Sequence, residues 1–403
     1  MTLLRVWNIF KQNRPALIGL GLFLFFILTT LLAQILSTDS SPYASVQIHD
    51  AVRVSPGTHA TFLKIRNRSE SYGLWESLFS GKPAEFQLLR LSDSTQLTIA
   101  QDSLWVNTFQ NETRYFLMPV ILYHPDPEEP FNAACLKQNG KPYLLHANSC
   151  IWTEQGKYCS QSLHQMEMDL HQTSFTQITW WMGTDALGRD VWSRLLKGGR
   201  VSIGVGLAAV GISLLIGLPL GIIAGYFGGW VDKLIQGFIS IIWSLPSMLL
   251  AMVLSFVFGK GFWQVFLAIG FTLWVDVARM VRGSVLSLRE SLFIEAAQTL
   301  GYSIPRILFF HLLPNLAGPV ILVSASCFAT AVLIESGLSF LGIGIQPPMP
   351  SWGNMLQEGY LQIVLSGGQW LAIFPGLAIV VLVVSLNLIG YGLRDALDPR
   401  EKA

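Results

Sequence analysis

Along this chain, six long apolar runs almost free of charge are joined by polar connections of very unequal length. The runs are Ala16 to Leu36, Val201 to Phe227, Leu234 to Phe258, Gly261 to Val275, Leu312 to Leu341 and Gly368 to Leu393. A helix needs about 20 apolar residues to cross the hydrocarbon core of a bilayer, so the pattern predicts six transmembrane helices. The fourth run is short and must extend past Asp276, which is then expected near the inner end of its helix. Arg279 lies three residues further on, a spacing that lets the two pair on one helix face. Pro246 predicts a kink in the third helix. The first run is longer than the roughly 7–15 apolar residues of a signal peptide and no A-x-A site follows it, which predicts an uncleaved anchor.

Lys and Arg near the ends of the runs set the orientation. Arg5, Lys11 and Arg14 precede the first helix and place the N-terminus inside. Six crossings then put Arg279, Arg282, Arg289 and Arg306 inside, together with the tail carrying Arg394, Arg400 and Lys402. The connection from Gly342 to Gly367 has no Lys or Arg and falls outside. Arg189, Arg194, Lys197 and Arg200 land outside against the rule, which long translocated segments obey weakly.

Between the first and second runs the pattern changes. Residues 37–182 have more acids than bases, prolines at 125, 127 and 130, and alternating stretches such as Gln96-Leu97-Thr98-Ile99 and Trp105-Val106-Asn107. Arg114 to Met118 then leads into the apolar Pro119 to Tyr123. This predicts an extracytoplasmic insert with several strands, long enough to bury its own core. The expected organisation is therefore residues 1–36 as N-terminus and first helix, 37–182 as mixed or β-rich insert, and 183–403 as a core with five further helices.

Composition narrows the function. The 403 residues are 51% hydrophobic and 13% charged, with net charge +1 and mean hydropathy +0.47. A soluble domain carries about 25% charged residues, so part of this surface is built for lipid. Near-neutral charge argues against nucleic acid as a partner. The Gly-Lys pairs at Gly81, Gly140, Gly156 and Gly259 lack the phosphate-binding loop pattern, so any ATP would sit on another subunit. Cys135, Cys150 and Cys159 lie in the insert and Cys327 in the fifth run. An oxidising compartment permits one disulfide among the first three. His146, Cys150, Cys159 and His164 match no zinc spacing, so no metal site is expected. Asn67-Arg68-Ser69 and Asn111-Glu112-Thr113 match the glycosylation pattern, which chance also produces.

Two connections carry local motifs. In Thr184 to Arg200, Asp185 can cap a helix start. Val191, Trp192, Leu195 and Leu196 then share one face and Arg194 and Lys197 the other. That suits an amphipathic helix with Trp192 at headgroup depth; an elbow feeding the second span is the plainer and preferred alternative. The other motif follows the fourth run. Leu286 to Leu300 has few helix breakers, and Gly301 sits where a helix ends in a left-handed residue. Ser303 can cap a second helix with Pro305 in its first turn, and that helix is expected to stop before Pro314. Two short helices at an angle result, with Ala296 and Ala297 allowing close approach of a partner and Glu295 offering a charge. A re-entrant or interfacial pair tethering its neighbours fits the pattern equally well.

Charges inside the runs are few. Glu335 lies deep in the fifth, where a carboxylate costs about 2.5–3.5 kcal/mol at a helix centre. It is a functional candidate by default, lining a path or binding a neighbouring helix. Asn387 suits helix-to-helix bonding.

Glu295-Ala296-Ala297, then three residues, Gly301, nine residues and Leu312-Leu313-Pro314 resemble the EAA signature of bacterial ABC importer permeases. His311 stands where the broad pattern has an aliphatic residue, as oligopeptide-type permeases commonly have a basic one. Gly183-Thr184-Asp185-Ala186-Leu187-Gly188-Arg189-Asp190, with Ser193-Arg194 and Gly199-Arg200-Val201-Ser202, is similar to a hallmark of C-type subunits of the dipeptide/oligopeptide/nickel group. Phe293-Ile294-Glu295, Leu338 to Gly342, Ser351-Trp352-Gly353 and the tail Gly392 to Pro399 extend the likeness. The insert lies outside it.

The resemblance implies the type I importer permease fold and a multi-pass protein of the bacterial cytoplasmic (inner) membrane, with both termini cytoplasmic. It implies a B-type permease partner, two cytoplasmic ATPases receiving the EAA element, an extracytoplasmic peptide-binding protein and contact with membrane lipid. By position, Glu295, Ala296, Ala297, Gly301 and Pro314 would form the coupling contact. Asp185, Gly188, Arg189 and Asp190 are hallmarks whose role the sequence does not give. No catalytic residue and no cofactor are expected on this chain, ATP and Mg belonging to the partners. Nickel or another small solute is the alternative cargo. A secondary transporter would need intramembrane acids in inverted repeats, and only Glu335 is a candidate. A sensor receptor would leave five further helices unexplained.

Overall fold

The computed structural model describes residues 3–66, 86–91, 98–100, 103–107, 113–123, 141, 143–146, 149–154, 157–259, 261–366 and 368–397. Cys135, Asn67 and Asn111, the three insert prolines, and Asp398 and Pro399 of the tail lie outside these residues. The chain divides into two compact units, one of residues 1–36 with 195–403 and one of residues 37–194.

The first unit begins with α1 (Leu3–Phe10) and α2 (Arg14–Leu31). Asn13 caps α2 by accepting the Ala16 N–H at 3.1 Å, and Pro15 occupies the first turn, where its missing N–H costs nothing. A short α3 (Ala33–Leu36) follows.

The second unit is built on nine described strands: β1 (Thr58–Arg66), β2 (Phe86–Arg90), β3 (Thr98–Ala100), β4 (Ser103–Asn107), β5 (Thr113–Leu117), β6 (Leu144–His146), β7 (Ser149–Glu154), β8 (Lys157–Ser162) and β9 (Phe175–Trp180). They form three antiparallel sheets, ordered β2-β1-β9, β3-β4-β5 and β6-β7-β8. Because successive side chains point to opposite faces, Phe62 of the central β1 packs with Trp180 while Leu63 joins Leu104, Met118 and Ile121. The apolar stretch after β5 is a helical turn, α4 (Met118–Tyr123), with Pro119 at its start. A further helix, α5 (Leu163–Asp169), is capped by Ser162, whose hydroxyl accepts the Gln165 N–H. The unit runs to Arg194, past residue 182, because the turn beginning at Gly183 is bonded into it.

The helical core follows: α6 (Val191–Phe227), α7 (Gly229–Trp243), α8 (Ser247–Phe258), α9 (Phe262–Arg289), α10 (Leu292–Thr299), α11 (Ile304–Arg306), α12 (Leu313–Asn315), α13 (Ala317–Phe340), α14 (Trp352–Ser366) and α15 (Trp370–Leu397). Among the described residues α2, α6, α9, α13 and α15 are each long and apolar enough to cross a membrane, and α7 with α8 makes a sixth candidate bent by 89°. That is a break rather than the expected kink. Neither half reaches the length a straight crossing needs, and Ser244 to Pro246 separate them. The fourth helix is 28 residues long, more than a crossing needs, and Asp276 lies at its middle, followed by Arg279, Arg282 and Arg289.

Close helix contact comes from missing side chains. Gly217, Gly221 and Gly225 recur one turn apart on α6, and a Cβ on them would lie 2.5 Å from the Trp274 carbonyl, 2.6 Å from that of Ala278 and 2.7 Å from the Val285 Cβ. With lipid outside offering no hydrophobic drive between helices, backbone approach of this kind supplies the packing.

Candidate functional site

The bent element after α9 is compact. Ser291 begins α10 in extended conformation. At its end Tyr302 N–H donates to the Ala297 carbonyl at 3.1 Å and Gly301 N–H to that of Gln298 at 2.9 Å. Gly301 is left-handed (φ +75°), which completes a Schellman ending. Tyr302 then stacks on His311 with centroids 5.7 Å apart, and the Arg306 guanidinium lies 4.3 Å over the Tyr302 ring. These three side chains fix the angle between the arms. Ile294 and Ala297 point inward and join Ile307, Leu312 and Leu316 in the core. Glu295, Ala296 and Gly301 are exposed. Leu292, which opens this short helix, and Leu300, which caps its far end, are 84% and 71% exposed, so this surface is apolar as well as acidic.

Three expectations need correction here. Ala297 packs into the chain's own core, so only Ala296 offers a partner close approach. Ser303 makes no side-chain cap bond. The second arm does not stop before Pro314: α11 passes through a π turn (Ile307–Leu312) into α12, with Pro314 in its first turn. Proline has no N–H to give and crowds the preceding carbonyl; the widened turn before it absorbs that mismatch and the chain continues.

The segment from Gly183 to Arg194 gathers its polar residues inward, within the second unit. The Asp185 carboxylate accepts from the backbone N–H of Leu187 (2.8 Å) and Arg189 (3.0 Å), from Arg189 Nε (2.7 Å) and from Arg194 Nη1 (2.5 Å). All three charged groups are buried. Thr184 binds the strap before β1, donating to the Ala51 carbonyl and accepting the Val54 N–H at 2.8 Å. Gly188 is left-handed (φ +73°), and a Cβ there would lie 2.0 Å from the Ile48 carbonyl oxygen. Asp190 opens α6: its Oδ2 accepts from Ser193 N (2.9 Å), Ser193 Oγ (2.6 Å) and Thr38 Oγ (2.5 Å). Burial pushes the Asp190 carboxyl above the usual carboxylate range, against the lowering effect of the Ser193 and Thr38 bonds. Arg194 and Lys197, expected on the polar face of an interfacial helix, are 4% and 3% exposed. They belong to the anchored first turns of α6, with Arg194 neutralised by Asp185.

Glu335 of α13 is fully buried. Ser202 Oγ of α6 donates to it at 3.1 Å and Ser339 Oγ at 2.7 Å. These hydroxyls accept in turn from the N–H of Trp352 (3.3 Å) and Ile345 (3.2 Å). The Trp352 indole donates to the Leu195 carbonyl at 2.8 Å. The carboxylate thus bonds α6 and α13 beneath the connection to α14 and has no exposed surface in this chain. Ser202 and Trp352 stand in the sequence as motif members, and their small or aromatic character beside glycines is the signal that marks them for close packing.

Arg279 makes no direct ion pair with Asp276; it attracts the carboxylate through space, while the Trp243 side chain bonds it. The Arg279 guanidinium lies 3.5 Å over the Trp243 ring. The ion pair that does form joins α7 to α9: Arg282 donates from Nε and Nη2 to Asp232 at 2.5 and 2.6 Å, a bidentate geometry. Asp232 is a lone acid between two uncharged runs, a signal the sequence reading passed over. Among the described residues no three of His, Cys, Asp or Glu gather as a metal site.

Residues 217–403 match the family described as binding-protein-dependent transport system inner membrane component, and residues 2–54 match the N-terminal TM domain of oligopeptide transport permease C. The chain is 42% identical over 223 residues to the dipeptide transport system permease protein DppC of Alkalihalophilus pseudofirmus, covering 55% of this chain and 73% of that one. It is 40% identical, with the same shares, to the glutathione transport system permease protein GsiD of Pectobacterium atrosepticum. To the oligopeptide transport system permease protein OppC of Bacillus subtilis it is 40% identical over 220 residues, 55% of this chain and 72% of that one.

Proposed function

The chain belongs to the family of binding-protein-dependent transport system inner membrane components, and from that premise we propose that it is the C-type permease of an ATP-driven dipeptide or oligopeptide importer. In this reading a homologous B-type permease completes the translocation path, two cytoplasmic ATPases supply the energy, and an extracytoplasmic binding protein delivers the peptide. ATP and Mg stay on the ATPases; this chain contributes shape and force transmission. Both termini face the cytoplasm and residues 37–182 the outside.

The observation that carries the reading is the knuckle from Leu292 to Pro314. Its interior is packed and its turn closed by two backbone bonds, while Glu295, Ala296, Leu292 and Leu300 are left exposed on one short helix. A rigid helix end with an apolar and acidic surface suits a groove in a partner. Closure of an ATPase pair gripping it would tilt α9 and α13 together, switching access between the two sides. The substrate class follows the named function of the dipeptide and oligopeptide relatives.

The test is Gly301→Trp in the assembled importer. A side chain at Gly301 meets open space and adds only left-handed strain, so the knuckle should fold while the indole projects into the surface where the ATPase would dock. The variant is expected in the membrane at normal level, with peptide uptake and peptide-stimulated ATP hydrolysis both lost. Normal uptake would remove the coupling role, and failure of the wild-type chain to retain ATPase subunits on purification would remove the importer reading.

A further inference from the structure

The corner where α7 meets α8 holds a feature the coupling reading leaves unused. Ile242, Trp243, Leu245, Pro246 and, from α9, Thr272 and Asp276 wall a cavity of about 240 Å³. A water occupies about 30 Å³ of liquid, so the space takes a group the size of an amino acid. The polar side-chain groups on the wall are the Asp276 carboxylate, the hydroxyls of Ser247 and Thr272 and the Trp243 indole N–H, and Thr272 donates its proton to the Ala268 carbonyl of its own helix.

The position of Asp276 says what lies beyond. The stripe of α9 formed by Leu273, Val277 and Val281 is buried in this chain's core, whereas Asp276, Trp243 and Leu245 are exposed. Asp276 is the fifteenth of 28 residues in its helix. An exposed carboxylate on a spanning helix is costly against lipid, so this face is a wall of an aqueous path or meets a polar partner. The carboxylate alone gives the corner its sign, because the end of α7 and the start of α8 meet here with opposed helix dipoles. The Trp243 side chain bonds the carboxylate, and Arg279, stacked on the Trp243 ring, attracts it through space.

We propose that this corner is the subsite for the protonated amino terminus of the transported peptide, with Asp276 as its counter-charge and Trp243 as its aromatic wall. The assignment rests on the peptide-importer reading above. It places the path wall on the face of α7, α8 and α9 that carries Trp243, Leu245 and Asp276, and makes Asp276 a substrate-contacting residue.

The experiment uses the complete importer, with its second permease, ATPases and binding protein, in vesicles. Asp276→Cys is treated with a membrane-impermeant cationic thiol reagent and with an anionic one of the same size, with and without a transported dipeptide; the wild-type chain reports background labelling. In parallel, Asp276→Asn and Asp276→Glu are assayed for dipeptide uptake and for basal ATP hydrolysis. The introduced thiol is expected to react, and the dipeptide to slow the reaction by about tenfold, the ratio that follows from about 1.4 kcal/mol of competing occupancy. Asp276→Asn should lose uptake by about tenfold or more with basal ATP hydrolysis and assembly unchanged, and Asp276→Glu should restore most of it. A thiol that never reacts, as when a basic group of the second permease permanently neutralises this position, overturns the subsite. So does a thiol the dipeptide fails to protect, or uptake unchanged in Asp276→Asn. If the wild-type assembly moves no peptide, the importer reading itself fails and takes the subsite's ligand with it, while thiol reactivity still reports whether this face lines an aqueous path.

Discussion

The turn at Gly188 and the turn at Gly301 use the same local device to opposite ends. Each places a left-handed glycine at the edge of a helix, beside an acidic residue that a family motif singles out. In the first, the acid faces inward: Asp185 collects two backbone donors and two guanidinium groups. In the second, Glu295 is exposed and the turn is closed by backbone bonds alone. The lesson is that a motif's charged residue reports function only after its partners are known. Here the hallmark acids hold a fold together, and the EAA acid lies exposed.

The contrast is sharpest in the two glycines. A Cβ at Gly188 strikes the Ile48 carbonyl, while one at Gly301 meets nothing within 4 Å. Gly188→Ala should therefore cost about 3 kcal/mol or more, from the clash added to the left-handed strain, and the protein should be depleted from the membrane. Gly301→Ala should cost only about 1 kcal/mol, the strain alone, and leave normal amounts in the membrane. Equal depletion of the two in quantitative membrane blots would break the comparison.

Glu295→Gln is next in size. An exposed carboxylate away from packing changes stability by less than about 0.5 kcal/mol, so melting should not move, whereas peptide-stimulated ATP hydrolysis of the assembled importer should fall. A lowered melting temperature with intact stimulation would assign Glu295 the same structural duty as Asp185.

The smallest effect concerns Asp190. Its carboxyl is raised above 3.8 by burial, so the folded state favours the protonated form. Its contribution to stability is full below the unfolded value and fades as pH climbs through the higher folded one. In detergent, the melting temperature of the wild type relative to Asp190→Asn should therefore rise as pH is lowered from neutral. A difference flat with pH would mean the carboxyl is not raised.

The two turns also differ in how much of them could be read from residue order. The knuckle is local: the helix end at Gly301 and the start near Pro305 follow from neighbours within a few positions, and both were legible. What was not legible is which alanine turns inward, because Ala297 is buried by Ile307, Leu312 and Leu316 across the bend, nor the π turn that carries the chain through Pro314. At the hallmark segment almost nothing was legible. The partners of Thr184 and Gly188 are Ala51, Val54 and Ile48, more than a hundred residues earlier, and no periodicity encodes such a pairing. The apolar runs gave the spans because lipid leaves the backbone few alternatives to helix. The bend of 89° at Ser244–Pro246 exceeded what one proline announces, and the pair that ties α7 to α9, Asp232–Arg282, joins residues 50 positions apart.

The glycine column on α6 bears on how motion could travel. Where Gly217 and Gly221 approach the Trp274 and Ala278 carbonyls, main chain rests on main chain, and the side chains that flank the glycine column are the stiff, β-branched Val277, Val281 and Val285. With so little rotamer freedom along this seam, α6 and α9 are expected to shift as one stave, so that a nudge at the Arg289 end of α9 is passed to its companion.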